Sequence, residues 1–386
     1  TLSNGGAERV VARLSTGFSD EIKKYIVVYN LGEENYHFNA DIINLNMKPT
    51  NNYIIKIINN IIRIIKIKKI KKELNIDYSI SFMEGPNLLN VITRNKEKVL
   101  ISIRNFKSRE QSKFIRYLSK FFIQLLYNKA DRVIAISEGV KNDLIENYGV
   151  CRNNIHVIYN PLDLASIKEQ MKEELDETDK KIFSDPTIIN VGRLTYQKGQ
   201  WHLIKAFKKV VQYIPNAKLI ILGQGELKES LERLIQDLEL TENVYLGGFK
   251  KNPFKYIHRS TLFVFSSLYE GLGNVLIESM ACEVPIISTD CPAGPREIID
   301  SPNNVQKVAT EVEMSNYGIL IPNFNNNGEI SKCNLSEEEE RLADTLIELL
   351  NDRDKLNYYR KQSIIRSNDY NIEDIVNQWL TLINKL

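Results

Sequence analysis

Short apolar runs alternate with longer stretches of helical periodicity along the whole chain. The first part is expected to contain strands at residues 25–30, 76–82, 98–103, 132–136 and 156–159 and helices at 7–18, about 51–75, about 109–129 and 138–147. The second part is expected to contain strands at residues 188–191, 218–222, 244–246, 262–265 and 285–288, with helices at 201–213 and 227–238. Strand–helix alternation at this spacing predicts parallel, doubly wound sheets. We therefore expect an α/β protein with two such domains.

The length of the chain agrees with a division into two domains. It has 386 residues, which is long for one hydrophobic core and sufficient for two. The join is expected near residues 160–161, so that the domains span 1–160 and 161–350. A charged surface helix is expected at 164–181, directly after the join. Polar helices at 351–386 are expected to end the chain.

The segment 263–299 carries the clearest candidate chemistry. It predicts a strand, a glycine loop, a helix, a second strand and a glycine-proline loop, with Glu270 opening the first loop and Glu278 on the helix. Glycine lets a backbone approach a ligand, and the N–H groups at a helix start favour an anion. The residues expected at this anion site are Gly271, Leu272, Gly273, Asn274 and Val275. Because carboxylates are the usual acceptors for sugar hydroxyls, a phosphate cradle between two of them suits a nucleotide sugar.

Two other predicted loops could bind an anion: one has two glycines before a helix, and the other has a glycine followed by basic residues. Gly5 and Gly6 precede the first helix, where an anion-compatible turn is expected. A buried strand ends in Gly192 and is followed by Arg193 and Lys198. Since the carboxyl ends of strands in open α/β sheets line the ligand crevice, both basic side chains are expected to bind phosphate.

Two glycine loops follow the next two strands of the second part. Gly223 and Gly225 flank Gln224, and no third glycine completes the dinucleotide-binding fingerprint. We therefore expect a loop beside a nucleoside rather than a dinucleotide site. Phe249 follows the strand after that, in a loop expected to approach the base.

The chain resembles glycosyltransferase family 4, retaining enzymes of the GT-B fold with two facing Rossmann-like domains. The resemblance rests on the Glu-x7-Glu spacing of Glu270 and Glu278, with Gly-Leu-Gly-Asn between them. It implies that Glu278 holds the donor ribose, that Glu270 contacts the transferred sugar and that Arg193 and Lys198 hold the diphosphate. Glu270, Arg193 and Lys198 are thus the expected catalytic residues. Donor contacts are expected at Gly5, Gly6, Gly192, Gly223, Gly225, Phe249, Gly271, Leu272, Gly273, Asn274, Val275 and Glu278.

The resemblance implies transfer of a hexose or N-acetylhexosamine from a nucleotide sugar, expected to be UDP-linked. The implied acceptor is a glycan or a polyprenyl-diphosphate-linked glycan in surface polysaccharide synthesis, such as that of capsule or exopolysaccharide. No cofactor and no metal are expected, and no side-chain base is implied. Acceptor loops are implied in the first domain, with Glu84, Arg104 and Asn105 as candidates, and the helices at 351–386 are implied to cross back onto that domain. Two alternatives stay open: a GT-B nucleotide-sugar epimerase or hydrolase, and a catalytically weak partner subunit of a glycan assembly complex.

Basic residues concentrate in the first domain. Residues 1–160 carry 25 Lys and Arg against 15 Asp and Glu, whereas the remainder carries 26 against 34. Two basic segments, 51–75 and 104–122, are expected to contact an anionic membrane surface. This contact would make the protein cytoplasmic and peripheral on the inner face of the cell membrane. The alternative is two packing helices with solvated Lys and Arg, and no nucleic-acid recognition motif is present.

Composition excludes several other classes. The four cysteines and four histidines show no CxxC pair, HExxH motif or other metal-ligand spacing. Asp352 and Asp354 flank an arginine in a polar helix and are expected to be solvated. No run reaches the roughly 18 apolar residues of a membrane span. Because the family begins with an apolar strand that is not seen before Gly5, an N-terminal truncation is expected.

Overall fold

The computed structural model describes residues 6–31, 37–110, 120–121, 123–324, 330 and 334–386. These residues form two compact units. Unit 1 comprises Thr1–Leu162 together with Tyr370–Leu386, and unit 2 comprises Asp163–Asp369.

Strands and helices alternate through both units. The described strands are β1 Tyr25–Val28, β2 Asp41–Asn44, β3 Tyr78–Phe82, β4 Lys98–Ile103, β5 Arg132–Ala135, β6 Ile155–Val157, β7 Thr187–Val191, β8 Lys218–Leu222, β9 Val244–Gly248, β10 Leu262–Phe265, β11 Ile286–Thr289, β12 Glu313–Met314 and β13 Ile319–Ile321. The described helices are α1 Gly6–Gly17, α2 Tyr53–Glu73, α3 Glu84–Ile92, α4 Lys107–Glu110, α5 Glu138–Tyr148, α6 Leu164–Met171, α7 Glu177–Ile182, α8 Gln200–Tyr213, α9 Lys228–Asp237, α10 Phe254–Arg259, α11 Asn274–Ala281, α12 Pro295–Ile299, α13 Glu337–Asn351, α14 Arg353–Asn368 and α15 Ile372–Ile383. The α/β fold class predicted from the sequence is therefore present.

Unit 1 is built on a parallel sheet in the order β3-β4-β5-β6, and β1 pairs with β2 as a separate parallel pair. Its core joins helix α1 to the sheet and to α15. Leu100 of β4 and Ile134 of β5 are buried in the same cluster as Trp379. Gly17 ends α1 against α15, where an added Cβ would lie 2.6 Å from Cγ2 of Val376.

Unit 2 contains, in the part of the chain that is described, a seven-stranded sheet in the order β12-β13-β11-β10-β7-β8-β9. All neighbours are parallel except β12, which runs antiparallel to β13. From β7 the chain continues to β8 and β9 on one side, then returns to β10 and β11 on the other. This reversal makes the point between β7 and β10 a topological switch, where open α/β sheets bind ligands.

The return of the chain to unit 1 occurs later than residue 351, the start of the predicted tail. Helix α14 packs within unit 2, where Ser363 donates to the carbonyl of Val284 at 2.9 Å and Arg366 to that of Ile298 at 2.9 Å. Tyr370 then joins unit 1, and its carbonyl accepts from Leu162 N at 2.7 Å. The tail predicted as polar thus divides in two: Arg353–Asn368 is polar and stays with unit 2, whereas Ile372–Ile383 buries the apolar residues Ile375, Val376, Trp379 and Leu382 in the core of unit 1.

Other differences from the predicted elements have local causes. Residues 164–181 form α6 and α7 rather than one helix, because Asp163 and Asp176 each cap a helix start by accepting a backbone N–H. Strands β2, β12 and β13 were not predicted: β12 and β13 are two and three residues long, and β2 holds only two apolar residues, between Asp41 and Asn44. Part of the predicted helix at about 109–129 lies outside the described residues, and residues 123–127 are helical.

Candidate active site

The loops after β7 and β10 interlock at the switch point of unit 2. Gln197 bridges them twice: its carbonyl accepts from Leu268 N at 2.8 Å, and its side-chain amide donates to the carbonyl of Tyr269 at 2.9 Å. Gly199 lies against the same loop, where an added Cβ would sit 2.4 Å from the carbonyl oxygen of Ser266. The residues that follow β10 are therefore held against those that follow β7.

Lys198 and Glu270 meet within this junction. Lys198 Nζ lies 2.5 Å from Glu270 Oε1, and Ser267 donates its hydroxyl to the same oxygen at 2.8 Å. The Glu270 side chain is 10% exposed and that of Lys198 is 17% exposed. Two of the predicted catalytic residues thus form one charged pair at the carboxyl edge of the sheet, partly shielded from water.

Helix α11 begins beside this pair. Gly273 precedes it with a φ of +88°, a left-handed conformation that glycine adopts without strain. An added Cβ there would lie 3.3 Å from the ring of Phe265 and from the side chain of Leu276. The predicted residues Gly271, Leu272, Asn274 and Val275 lie in this loop and the first turn of the helix. Lys198 Nζ lies 5.4 Å from the centroid of the Phe265 ring, so the start of α11, whose N–H groups favour an anion, lies near the charged pair.

Glu278 lies one turn into α11, at the i+4 position from Asn274. It is 7% exposed, which is uncommon for a glutamate and excludes a freely solvated carboxylate. Its backbone carbonyl accepts from Cys282 N at 3.1 Å. The structure thus places Glu278 on the same short helix as the predicted anion site. Its predicted contact with a ribose remains a prediction.

The loops after β7 and β8 need glycine for close backbone packing, a requirement that was not predicted from the sequence. An added Cβ on Gly223 would lie 1.8 Å from the carbonyl oxygen of Gly192, and one on Gly225 would lie 2.2 Å from that of Leu194. Leu194 N also donates to the carbonyl of Gln224 at 3.0 Å. Backbone packs directly on backbone here, so these glycines build the edge of the site whether or not they touch a ligand.

The remaining donor-side predictions fall on less confined positions. The Arg193 side chain is exposed and, among the residues described, forms no ion pair. Phe249 is 58% exposed at the end of β9. Gly6 is the first residue of α1 in unit 1, whereas Gly5 lies outside the described residues. The structure therefore brings Lys198, Glu270 and the start of α11 together and leaves Arg193 open to solvent.

A buried charge cluster fixes the loop after β11. Arg296 lies 2.6 Å from Asp290 Oδ2 and 2.8 Å from Glu313 Oε2, and Asp290 also accepts from Ala309 N at 2.6 Å. Burial opposes the charge of Arg296, but the bonds to Glu313 and Asp290 outweigh it and raise its pKa. Gly294 in this loop leaves room for the carbonyl of Leu272, which an added Cβ would approach to 2.0 Å. The cluster thus supports the glycine loop from behind.

The predicted acceptor residues lie at the carboxyl edge of the sheet in unit 1. Glu84 Oε1 lies 2.6 Å from Nζ of Lys107, whose side chain is 5% exposed. Arg104 donates to the side-chain oxygen of Asn160, and its guanidinium lies 5.7 Å from the ring centroid of Phe82. Burial lowers the Arg104 pKa to about 10. Asn105 is exposed beside it.

The structure describes the first predicted membrane segment, 51–75, throughout and the second, 104–122, in part. Residues 53–73 form helix α2, whereas residues 111–119 and 122 of the second segment lie outside the described residues. No helix in the described ranges has both the length and the apolar character needed to cross a membrane. Nor do the described residues bring together three His, Cys, Asp or Glu side chains that could hold a metal ion.

Two family models and two relatives that match this chain are all glycosyltransferases. The family described as "Glycosyl transferases group 1" matches residues 171–366, and "Glycosyltransferase Family 4" matches residues 4–166. An uncharacterized glycosyltransferase of Methanocaldococcus jannaschii is 38% identical over 339 residues, covering 83% of this chain and 82% of that protein. The N-acetylgalactosamine-N,N'-diacetylbacillosaminyl-diphospho-undecaprenol 4-alpha-N-acetylgalactosaminyltransferase of Campylobacter jejuni is 35% identical over 309 residues, covering 77% of this chain and 81% of that protein.

Solved structures agree with these relatives in fold. Anabaena HepE in complex with UDP aligns with a TM-score of 0.77 at 17% identity, covering 100% of this chain and 98% of that one. A glycosyltransferase of Rickettsia africae aligns with a TM-score of 0.75 at 18% identity, covering 100% and 96%. These likenesses confirm the predicted GT-B fold class.

Proposed function

The chain belongs to the group 1 glycosyl transferases, with a family 4 region before that module, and we propose that it transfers a hexose or N-acetylhexosamine from a UDP-linked sugar with retention of configuration. The predicted family and glycosyltransferase activity are confirmed by these matches and by the relatives. The donor, the stereochemistry and the acceptor belong to the proposal.

One observation gives the main support for the proposed donor site. The Lys198–Glu270 pair lies at the topological switch of unit 2, beside the start of α11. In the proposed complex the diphosphate binds to Lys198, Arg193 and the first amides of α11, while Glu278 holds the ribose. Positive groups fixed where charge develops on a leaving diphosphate stabilise that charge without reorganising. UDP in the HepE complex supports the choice of nucleotide.

The proposed reaction breaks one bond and forms one. The bond between the anomeric carbon and the β-phosphate oxygen breaks, and UDP leaves with that electron pair. The acceptor hydroxyl oxygen forms the new bond to the same face of that carbon, and its proton passes to the departing diphosphate. Glu270 orients the transferred sugar, and no side-chain base or metal takes part.

The proposed acceptor is a glycan, either free or linked to a polyprenyl diphosphate. The Campylobacter relative, whose name gives an undecaprenol-linked acceptor, supports this choice, as do relatives named for capsular polysaccharide and amylovoran biosynthesis. The guanidinium of Arg104 in unit 1 donates to the amide oxygen of Asn160, a neutral group that leaves its positive charge available to an anionic acceptor. An acceptor on a lipid would place the enzyme peripherally on the inner face of the cell membrane.

A donor and acceptor screen tests the proposal. UDP-, GDP- and ADP-linked sugars are offered with a polyprenyl-diphosphate glycan, with and without EDTA, and the anomeric configuration of the product is read by NMR. We expect transfer from a UDP sugar, unchanged by EDTA and with the donor's configuration. An inverted product, a requirement for metal or a preference for another nucleotide would each overturn that part of the proposal. Release of free sugar without transfer would favour a hydrolase, and nucleotide binding without turnover would favour a partner subunit.

A further inference from the structure

Helix α2 in unit 1 turns several of its polar side chains toward the protein. Lys66 Nζ donates to the carbonyl of Leu45 at 2.8 Å, and Arg63 lies 4.1 Å from the ring centroid of Tyr29. Lys71 is buried and lies 2.7 Å from Oε1 of Glu97. The basic side chains of α2 were predicted to face solvent or a membrane, but some of them contact the protein instead.

The apolar side chains of α2 face outward instead. Eight large apolar side chains of this helix are 37% to 76% exposed: Tyr53, Ile54, Ile55, Ile57, Ile58, Ile61, Ile62 and Ile65. The helix start is well formed, because Asn52 accepts from Ile54 N and Ile55 N. A contiguous run of isoleucines on one face of a stable helix marks an interaction surface rather than a frayed end. We call this run the isoleucine face.

The character of the outward face changes along the helix axis. Continuing from Ile61 and Ile65 at helical spacing, the next outward positions are Lys68, Lys69 and Lys72, and all three are exposed. No acidic residue occurs between Tyr53 and Lys72. The outward stripe is therefore apolar toward the amino end and basic toward the carboxyl end.

The change from apolar to basic residues along α2 indicates what covers the isoleucine face. A second copy packed in parallel across the isoleucine face would bring two lysine-rich stripes together, which like charges oppose, and a copy packed antiparallel would cover lysines with isoleucines and leave their charges without partners. A bilayer accepts both halves, because acyl chains cover isoleucine while lysine reaches phosphate headgroups. We propose that α2 inserts its isoleucine face into the acyl-chain boundary of an anionic membrane, with Lys68, Lys69 and Lys72 at the level of the lipid phosphates.

The inference deepens the proposed function, since a lipid-linked acceptor lies on such a surface, but its test needs neither donor nor acceptor. The full chain is floated with vesicles of phosphatidylcholine alone and of phosphatidylcholine mixed with phosphatidylglycerol. The variants are Ile54→Gln/Ile58→Gln/Ile61→Gln and Lys68→Gln/Lys69→Gln/Lys72→Gln. The control is Tyr358→Gln/Ile365→Gln, which changes comparably exposed apolar residues on α14 in unit 2.

We expect the isoleucine variant to lose about 100-fold in partitioning to both kinds of vesicle, because each inserted isoleucine contributes about fivefold. The lysine variant is expected to lose only the preference for phosphatidylglycerol, and the control to bind as the wild type does. Wild-type binding by the isoleucine variant would overturn the inference. So would a wild-type dimer that the isoleucine variant converts to a monomer without any change in vesicle binding. UDP titration of each variant separates a misfolded protein from one that has lost only its membrane contact.

A separate observation concerns the Glu270 carboxylate. Ser267 and Lys198 both donate to Oε1, and no described residue donates to Oε2. Ser267 is 1% exposed, and its own carbonyl accepts from the hydroxyl of Thr289 at 2.6 Å. The serine is thus fixed by β11 and in turn fixes one oxygen of Glu270. We infer that Ser267 is a positioning residue, which leaves Oε2 directed to the transferred sugar.

This second inference rests on the proposed role of Glu270, and its test separates the two. Ser267→Ala is compared with Ser267→Thr, which keeps a hydroxyl, and with Ser288→Ala, which removes a fully buried hydroxyl bonded to the Thr289 carbonyl. We expect Ser267→Ala to lower kcat about tenfold with UDP affinity unchanged, because a hydrogen bond to a charged group is lost. Ser267→Thr is expected to restore most of the rate, and Ser288→Ala to leave it unchanged.

Three outcomes would overturn the positioning role. One is a wild-type kcat for Ser267→Ala while Glu270→Gln is inactive. A second is equal loss of kcat in Ser288→Ala, which would indicate a packing effect. A third is loss of UDP affinity together with kcat. An active Glu270→Gln variant would instead contradict the proposed function itself.

Discussion

The carboxyl edges of the two sheets are built differently. In unit 2, the loops after β7, β8, β10 and β11 pack backbone against backbone at glycines that leave no room for a Cβ. In unit 1, the corresponding edge is held by single side-chain contacts such as Glu84–Lys107 and Arg104–Asn160. Close backbone packing fixes one ligand geometry, whereas side-chain contacts can be replaced with little change of fold. The proposed donor edge is thus the constrained one, and the proposed acceptor edge the adaptable one.

The largest expected effect comes from the charged pair on the constrained edge. Glu270→Gln keeps the shape of the side chain but removes the charge that Lys198 contacts. We expect kcat/KM for transfer to fall about 100- to 1000-fold, the usual loss when one preorganised polar group is removed from a catalytic site. Glu239→Gln, which changes an acid 88% exposed in the same unit, is the control and is expected to keep full activity. A loss below tenfold in Glu270→Gln would break the contrast between the two edges.

The next largest effect concerns stability at the glycine contacts. Gly223→Ala forces a Cβ to within 1.8 Å of the Gly192 carbonyl, so the two loops must separate. We expect the free energy of unfolding of unit 2 to fall by about 3 kcal/mol, in the range of severe steric substitutions. Gly248→Ala is the control, because its φ is +67° but nothing lies within 4 Å of an added Cβ; about 1 kcal/mol is expected there.

Fluorescence can assign the loss to one unit. Trp201 is buried in the core of unit 2 and Trp379 in that of unit 1, so a Trp379→Phe background reports unit 2 alone. Equal destabilisation by Gly223→Ala and Gly248→Ala would show that the φ value, rather than the clash, is what requires glycine.

The smallest of these effects is expected on the adaptable edge. Arg104→Gln removes the guanidinium but keeps a hydrogen-bonding side chain beside Asn160. We expect the KM for a phosphate-bearing acceptor to rise about tenfold, with UDP affinity unchanged, because one charge-assisted contact is lost. Arg104→Lys is expected to recover only part of this, since a single ammonium cannot donate two parallel bonds. An unchanged KM would remove Arg104 from the acceptor site.

The sequence predicted what depends on local pattern. Strands 98–103 and 218–222 have the same bounds in the structure, because each is dominated by four Val, Leu or Ile residues that are buried in the sheet. The start of α11 was predicted near Asn274, because Gly271 and Gly273 directly before it are a local signal for a turn that leads into a helix. The same reasoning assigned Gly223 and Gly225 to a ligand, since a glycine that packs on a distant backbone looks no different in sequence.

What the sequence could not predict depends on contacts between distant residues. The carbonyl of Ser267 accepts from the hydroxyl of Thr289 on β11, and this contact, which fixes the serine beside Glu270, depends on β11 lying beside β10. Gln197 carries no charge and follows no motif, and its bridging role depends on β10 lying beside β7. For α2 the sequence left open both contact with a membrane and packing against the protein, because periodicity gives the angle between faces but not which face is turned to solvent. The basic residues were assigned to the surface for the same reason.

The carboxyl edge of unit 2 is proposed to bind a UDP-linked donor. Isothermal titration of UDP, GDP and ADP, without added metal, into the wild type and Glu278→Ala measures this binding. We expect UDP to bind, and the variant to bind it about tenfold more weakly, since a hydrogen-bonded carboxylate beside the ribose is lost. Absence of binding by any nucleotide to the folded wild type, or equal affinity in the variant, would contradict it.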